Sequence, residues 1–142
     1  MSKYVIDASV AIKWVVQETG TEQALTLRRR RLMAPDLIAP EWANILWKKV
    51  RLAELDAERA LLSARVLERA EIELHPMRSF LAEATQLAVA LDHPAYDCTY
   101  LALALRMGVQ FVTADARFLK RVRERADPRQ AAAVLSLFDV ST

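Results

Sequence analysis

Short apolar runs recur along the chain, and the segments between them carry helical period. Residues 3–7, Lys-Tyr-Val-Ile-Asp, read as a short buried strand that ends in an acid. Further strands are expected at 32–34, closed by Pro35, at 71–75, at 109–113 and at 133–138. Between them, 8–17 reads as helical, and Thr19 or Thr21 can cap a helix running into Arg28–Arg31. Residues 36–52 read as a helix that tolerates Pro40 only near its start. Asp56 caps the next helix, in which Leu62, Val66 and Ala70 step by four. Phe80, Ala84, Leu87 and Leu91 form one apolar stripe. A helix over 95–107 is stopped by Gly108, and 115–126 is helical and strongly basic. Strand and helix in alternation specify an α/β three-layer sandwich with a mostly parallel sheet.

A chain of 142 residues fits a single domain, 1–142, large enough to bury a core without disulfides or a structural metal. Only two glycines are present, and neither GxGxxG nor GxxxxGK[ST] occurs, so a dinucleotide fingerprint and a P-loop are disfavoured. One cysteine can form neither an internal disulfide nor a thiolate metal site by itself. The N-terminus has too short an apolar stretch for a signal peptide, and no run approaches a membrane span. The expectation is a soluble cytoplasmic protein with no membrane partner.

In open parallel sheets, ligands bind beyond the carboxyl ends of the strands. Asp7 follows the first strand and Asp115 follows Phe111-Val112-Thr113-Ala114. Glu41 lies in Ala39-Pro40-Glu41-Trp42-Ala43-Asn44-Ile45-Leu46, near a helix start, and Asp97 opens the apolar helix that continues Cys98-Thr99-Tyr100-Leu101. Each acid taken alone is also a plain capping or dipole choice. Four carboxylates in one cleft, however, repel unless a cation sits among them. Oxygen-only donors suit Mg2+ or Mn2+, ions that activate water and neutralise a phosphodiester.

Asp7-Ala8-Ser9 with Lys13-Trp14 downstream, Pro40-Glu41 with Asn44, Tyr96-Asp97-Cys98-Thr99-Tyr100 running into Leu101-Ala102-Leu103-Ala104, and Thr113-Ala114-Asp115 with Phe118 together resemble the PIN-domain pattern, and among its members the VapC-type toxins of toxin–antitoxin pairs. The resemblance covers nearly the whole chain. It implies a parallel sheet of four or five strands and a metal-dependent endoribonuclease using Mg2+ or Mn2+. It assigns Asp7, Glu41, Asp97 and Asp115 to the catalytic and metal-holding quartet, and Ser9 and Thr113 to the small hydroxyl positions that steady it. Asn44 shares a helix face with Glu41 and is expected to orient it. Ala116, Arg117 and Phe118 follow the last acid where some relatives carry another acid, which leaves a second metal poorly ligated. The implied partners are RNA, a small antitoxin and a second copy in a homodimer. A PIN nuclease of RNA processing without an antitoxin, and a catalytically silent PIN binding module, are the alternatives.

Other residues carry plainer readings. His75 and His93 are the only histidines, too few for a zinc centre; His93, four before Asp97, is left outside the candidate set. Cys98 is expected to be a small core residue, and Asp36, Asp92 and Asp127 to be caps or turn residues. Asp139 ends the last strand and stands apart from the quartet. Trp14, Trp42 and Trp47 are expected to pack in the core or at a dimer interface rather than stack bases. Arg28–Arg31 is open between a solvated helix end and a phosphate contact, and Arg117 and Lys13 are the RNA-contact candidates.

The formal net charge is only +2, which by itself says nothing of nucleic acid. Setting the quartet aside leaves 14 acids against 20 basic residues, a remainder of +6. An acidic pocket in a basic surround is the distribution suited to gripping and cutting a polyanion.

Overall fold

A computed structural model describes residues 2–141 of the chain. Five strands form one sheet: β1 (Lys3–Ile6), β2 (Arg31–Pro35), β3 (Glu73–His75), β4 (Gln110–Thr113) and β5 (Val134–Ser136). Their order is β3-β2-β1-β4-β5 and every pairing is parallel. The helices are α1 (Ala8–Ala11), α2 (Thr21–Leu27), α3 (Ile38–Arg51), α4 (Ala57–Glu68), α5 (Leu81–Leu91), α6 (Ala95–Met107), α7 (Ala116–Arg125) and α8 (Pro128–Ala132). They complete the three-layer α/β/α sandwich, with α6 packed across β1, β2 and β4. Among the described residues no helix is long and apolar enough to cross a membrane.

Burial explains the arrangement. Val5, Ile6, Phe111 and Val112 on the central strands are fully buried, and Tyr100, Leu101, Leu103 and Ala104 give α6 an apolar surface on several sides. A helix apolar nearly all round belongs inside the molecule. The stripe Phe80, Ala84, Leu87 and Leu91 is buried as its spacing predicts. Gly108 ends α6 in the left-handed conformation, at φ 67°.

Several local expectations are corrected. The segment after β1 is only one α-helical turn followed by a 3-10 turn at Ile12–Trp14. Thr21 is the first residue of α2 rather than its cap; Gly20, at φ 94°, takes the cap position. The last strand stops at Ser136, and Asp139 ends a 3-10 turn. Leu62 and Val66 face solvent, while Ser63 and Leu67, one position on, are buried. A step of four marks a helical face but not which face is covered. Trp47 is also exposed, at 56%, with the Arg51 guanidinium 5.6 Å from its ring centroid.

The topology selects one end of the sheet. The chain moves from β1 outward to β2 and β3, then returns to the other side of β1 as β4. The strand order therefore reverses between β1 and β4, the place where such sheets open a crevice at their carboxyl ends. Arg31 pairs in register with Lys3 at the opposite, amino end, so the basic run leading into β2 lies away from that crevice.

Candidate active site

Asp7 and Asp115 reach the crevice by the same device, an acid in extended conformation that ends a strand and caps the following helix. Asp7 Oδ1 accepts from the Val10 backbone N–H at 3.2 Å, and Asp115 Oδ1 accepts from Arg117 and Phe118 N–H at 2.9 and 3.3 Å. Asp7 is then clamped by hydroxyls. Ser9 Oγ donates to Oδ1 at 2.6 Å and Thr113 Oγ1 to Oδ2 at 2.5 Å. Each hydroxyl oxygen also accepts a backbone hydrogen bond. Ala114 N–H donates to Ser9 Oγ at 3.2 Å, and Asp115 N–H to Thr113 Oγ1 at 3.0 Å.

Asp97, in the first turn of α6, is within electrostatic reach of all three other acids: its charge acts on Asp7 and Glu41, and that of Asp115 acts on it. Burial pushes the Asp7 carboxyl up to about 7 from its ordinary 3.8, against the pull of the Ser9 and Thr113 hydroxyls. Burial likewise raises Glu41, with Tyr100 opposing and Asp97 adding to the rise. Asp97 is raised first by burial, then by Asp115, with the His93 hydrogen bond opposing. Three of the four acids are thus held in environments that disfavour their charge.

The structure sets Asp97 within electrostatic reach of Asp7, Glu41 and Asp115, and sets Ser9 and Thr113 against Asp7. Asn44 is not part of this set: the side chain is exposed, and the partner of Glu41 is the Tyr100 hydroxyl, which donates to Oε1. Asn44 shares the helix face of Glu41, but the donor comes from Tyr100 on α6. Lys13 is also corrected. Its side chain is 10% exposed and its ammonium lies 2.9 Å from Glu18 Oε1, with Lys49 3.2 Å from the other oxygen. Burial beside a carboxylate makes it part of a structural ion pair, not a phosphate contact. Arg117 stands on the exposed side of α7.

Tyr100 and His93 are the participants that residue-by-residue reasoning passes over. Tyr100 lies three residues after Asp97 on α6, so helical spacing places both on neighbouring positions of one face. It is fully buried, stacked on Phe111 with ring centroids 5.4 Å apart. His93 Nε2 lies 2.7 Å from Asp97 Oδ2, and its ring rests against Phe118 at 5.1 Å. Cys98 is a buried residue whose thiol is pushed up to about 12 by burial and by Asp97, so it is no nucleophile.

Among the described residues, no three His, Cys, Asp or Glu side chains are arranged to hold a metal ion as they stand. The chemistry of the donor set nevertheless fits a hard divalent cation. All four groups offer oxygen, and three are raised by burial and mutual repulsion, which a cation would relieve.

The PIN domain family model matches residues 4–124. The chain is 32% identical over 124 residues to ribonuclease VapC3 of Pyrobaculum aerophilum, covering 84% of this chain and 94% of that one. The crystal structure of PAE2754 from Pyrobaculum aerophilum superposes with a TM-score of 0.71 at 21% identity, over 96% of this chain and 90% of that one.

Proposed function

The chain belongs to the PIN-domain family, and from that premise we propose that it is a metal-dependent endoribonuclease acting as the toxin of a toxin–antitoxin pair. The observation that supports this most is the coupling of Asp97 to Asp7, Glu41 and Asp115 at the point where the strand order reverses. The kinship with a protein named ribonuclease VapC3 supports both the substrate and the toxin role.

Asp7, Asp97 and Asp115 would hold one Mg2+ or Mn2+, with Glu41 joining directly or through water. Bound there, the ion would supply Lewis-acid polarisation of a phosphodiester and a water of lowered pKa. The protein's own residues set up the rest. Ser9 and Thr113 fix both oxygens of Asp7, so this carboxylate is oriented before any ligand arrives. Tyr100 holds Glu41 and His93 holds Asp97 in the same way. Preorientation of donors is where a protein contributes most to such a centre. Among the described residues, no accessible thiol, serine–histidine pair or glycine loop competes for the role.

The partner proteins are proposed on a different feature. Trp47, Leu52, Leu61, Leu62 and Val66 are each more than half exposed on α3, α4 and their connection. Exposed apolar side chains on two packed helices suit protein binding, which supports a small antitoxin and a homodimer as partners. Expression in a bacterial host tests the toxin role. Growth arrest that is relieved by co-expressing the neighbouring small gene is the expected outcome. RNA cleavage in vitro without arrest would instead identify a processing nuclease.

A further inference from the structure

Beside the acids lies a cavity of about 370 Å³ that the proposed chemistry does not use. One wall is the α5–α6 turn, Asp92 to Pro94; the other is α7, through Arg117, Lys120, Arg121 and Glu124. The three cations stand at i, i+3 and i+4, a single helix face. Phe118 and Val122 bury the other side of α7 and so fix that face toward the cavity. Both walls are tied to candidate acids. His93 lies 2.7 Å from Asp97, and the Arg117 backbone N–H donates to Asp115 at 2.9 Å.

We propose that this cavity seats a backbone phosphate of the RNA strand next to the one that is cut, with Arg117 as the principal contact. The proposal rests on the ribonuclease function stated above. Glu124 lies 3.6 Å from Arg121 and 3.9 Å from Lys120, whereas Arg117 makes no ion pair among the described residues. Its guanidinium is the cation left to meet a ligand, and its fork suits phosphate oxygens. Three cations against Asp92 and Glu124 leave one positive charge in the lining, matched to one phosphodiester. A strand gripped here is led past His93 and Asp115 into the group of acids, so binding and cleavage share one path. Positioning by a neighbouring phosphate is a recognised way to turn binding energy into orientation.

The test compares Arg117→Ala and the charge-keeping Arg117→Lys with Arg123→Ala, a loss of charge on another face of the same helix. A fluorescent single-stranded RNA oligonucleotide is titrated in chelator at several salt concentrations, and kcat and KM are then measured in Mg2+. Arg117→Ala is expected to raise Kd and KM about five- to tenfold and to make the slope of log K against log salt shallower by about 0.7. Its kcat should stay within about twofold, Arg117→Lys should recover much of the loss, and Arg123→Ala should match wild type. Equal behaviour of Arg117→Ala and Arg123→Ala overturns the subsite alone. A loss confined to kcat overturns it too, in favour of a role in seating Asp115. Weakened binding of an oligo-aspartate peptide with RNA binding unchanged reassigns the cavity to an acidic polypeptide. Wild-type protein that neither binds nor cuts RNA overturns the ribonuclease function and the subsite together.

Discussion

Thr113 Oγ1 donates to Asp7 Oδ2 at 2.5 Å, joining the carboxyl ends of β4 and β1 across 106 residues of chain. The same oxygen accepts from the Asp115 backbone N–H at 3.0 Å, so one hydroxyl positions two acids. Replacing it by a methyl group of similar shape leaves the buried Asp7 oxygen and the half-buried Asp115 N–H without this partner. Thr113→Val should cost about 1–3 kcal/mol of stability, with RNA cleavage reduced at least tenfold, while Thr113→Ser should recover most of both. Denaturant unfolding and kcat measured on the three proteins check this. A Thr113→Val protein with wild-type kcat would mean that the hydroxyl serves folding alone.

Burial holds the Asp7 carboxyl at about 7 against an ordinary 3.8, so the folded chain retains its proton over a range where the unfolded chain has lost it. The stabilisation this proton brings is complete below about pH 4 and disappears as pH rises through 7. In chelator, wild-type stability should therefore fall from pH 5 to pH 8 more steeply than that of Asp7→Asn, which carries no charge to bury. At pH 8 the variant should be the more stable by on the order of 1–3 kcal/mol. Thermal unfolding of the two proteins across that range reads it directly, and parallel curves would show that Asp7 is solvated.

Tyr100→Phe keeps the stacking on Phe111 and removes only the donor to Glu41. The expected cost is about 1 kcal/mol in stability and about tenfold in kcat, with KM unchanged, because Glu41 loses its orientation rather than its charge. Unchanged kcat would remove Glu41 from the working group.

Legibility in the sequence differs from residue to residue. Asp7 and Asp115 are visible because an acid directly after a short apolar strand has one place to go in a parallel sheet, the carboxyl edge. The hydroxyls of Ser9 and Thr113 are marked by the resemblance to the PIN pattern, not by their spacing. The roles of Tyr100 and His93 are not visible, although both lie within about a helical turn of Asp97, because periodicity places residues on a face without saying which element covers it. The same ambiguity puts Asn44 beside Glu41, whose donor is Tyr100, and leaves open which side of the Leu62–Val66 helix is covered; packing buries Ser63 and Leu67 instead. Lys13 shows the limit for charges. It stands among the RNA-contact candidates, but the Glu18 carboxylate that claims it arrives through a loop the sequence does not orient.

Lys13 supplies a test of that correction. Burial alone would raise Glu18, yet the ammoniums of Lys13 and Lys49 hold it below the ordinary range. Lys13→Met should lower stability by about 1–2 kcal/mol and leave the KM for RNA unchanged. A raised KM in a protein of wild-type stability would return Lys13 to the RNA path.

The central claim is that the four acids act together as a metal-dependent RNA-cutting centre, and Asp97 is the acid within electrostatic reach of the other three. The most direct measurement is single-turnover cleavage of RNA by chelator-stripped protein, before and after Mg2+ or Mn2+ is restored, in wild type and Asp97→Asn. Wild type should be silent without the ion and active with it. Asp97→Asn should lose activity by about 10³-fold or more while unfolding at a temperature no lower than wild type, since each lost factor of ten corresponds to about 1.4 kcal/mol of transition-state stabilisation. Cleavage that survives chelation, or that Asp97→Asn performs at the wild-type rate, would contradict it.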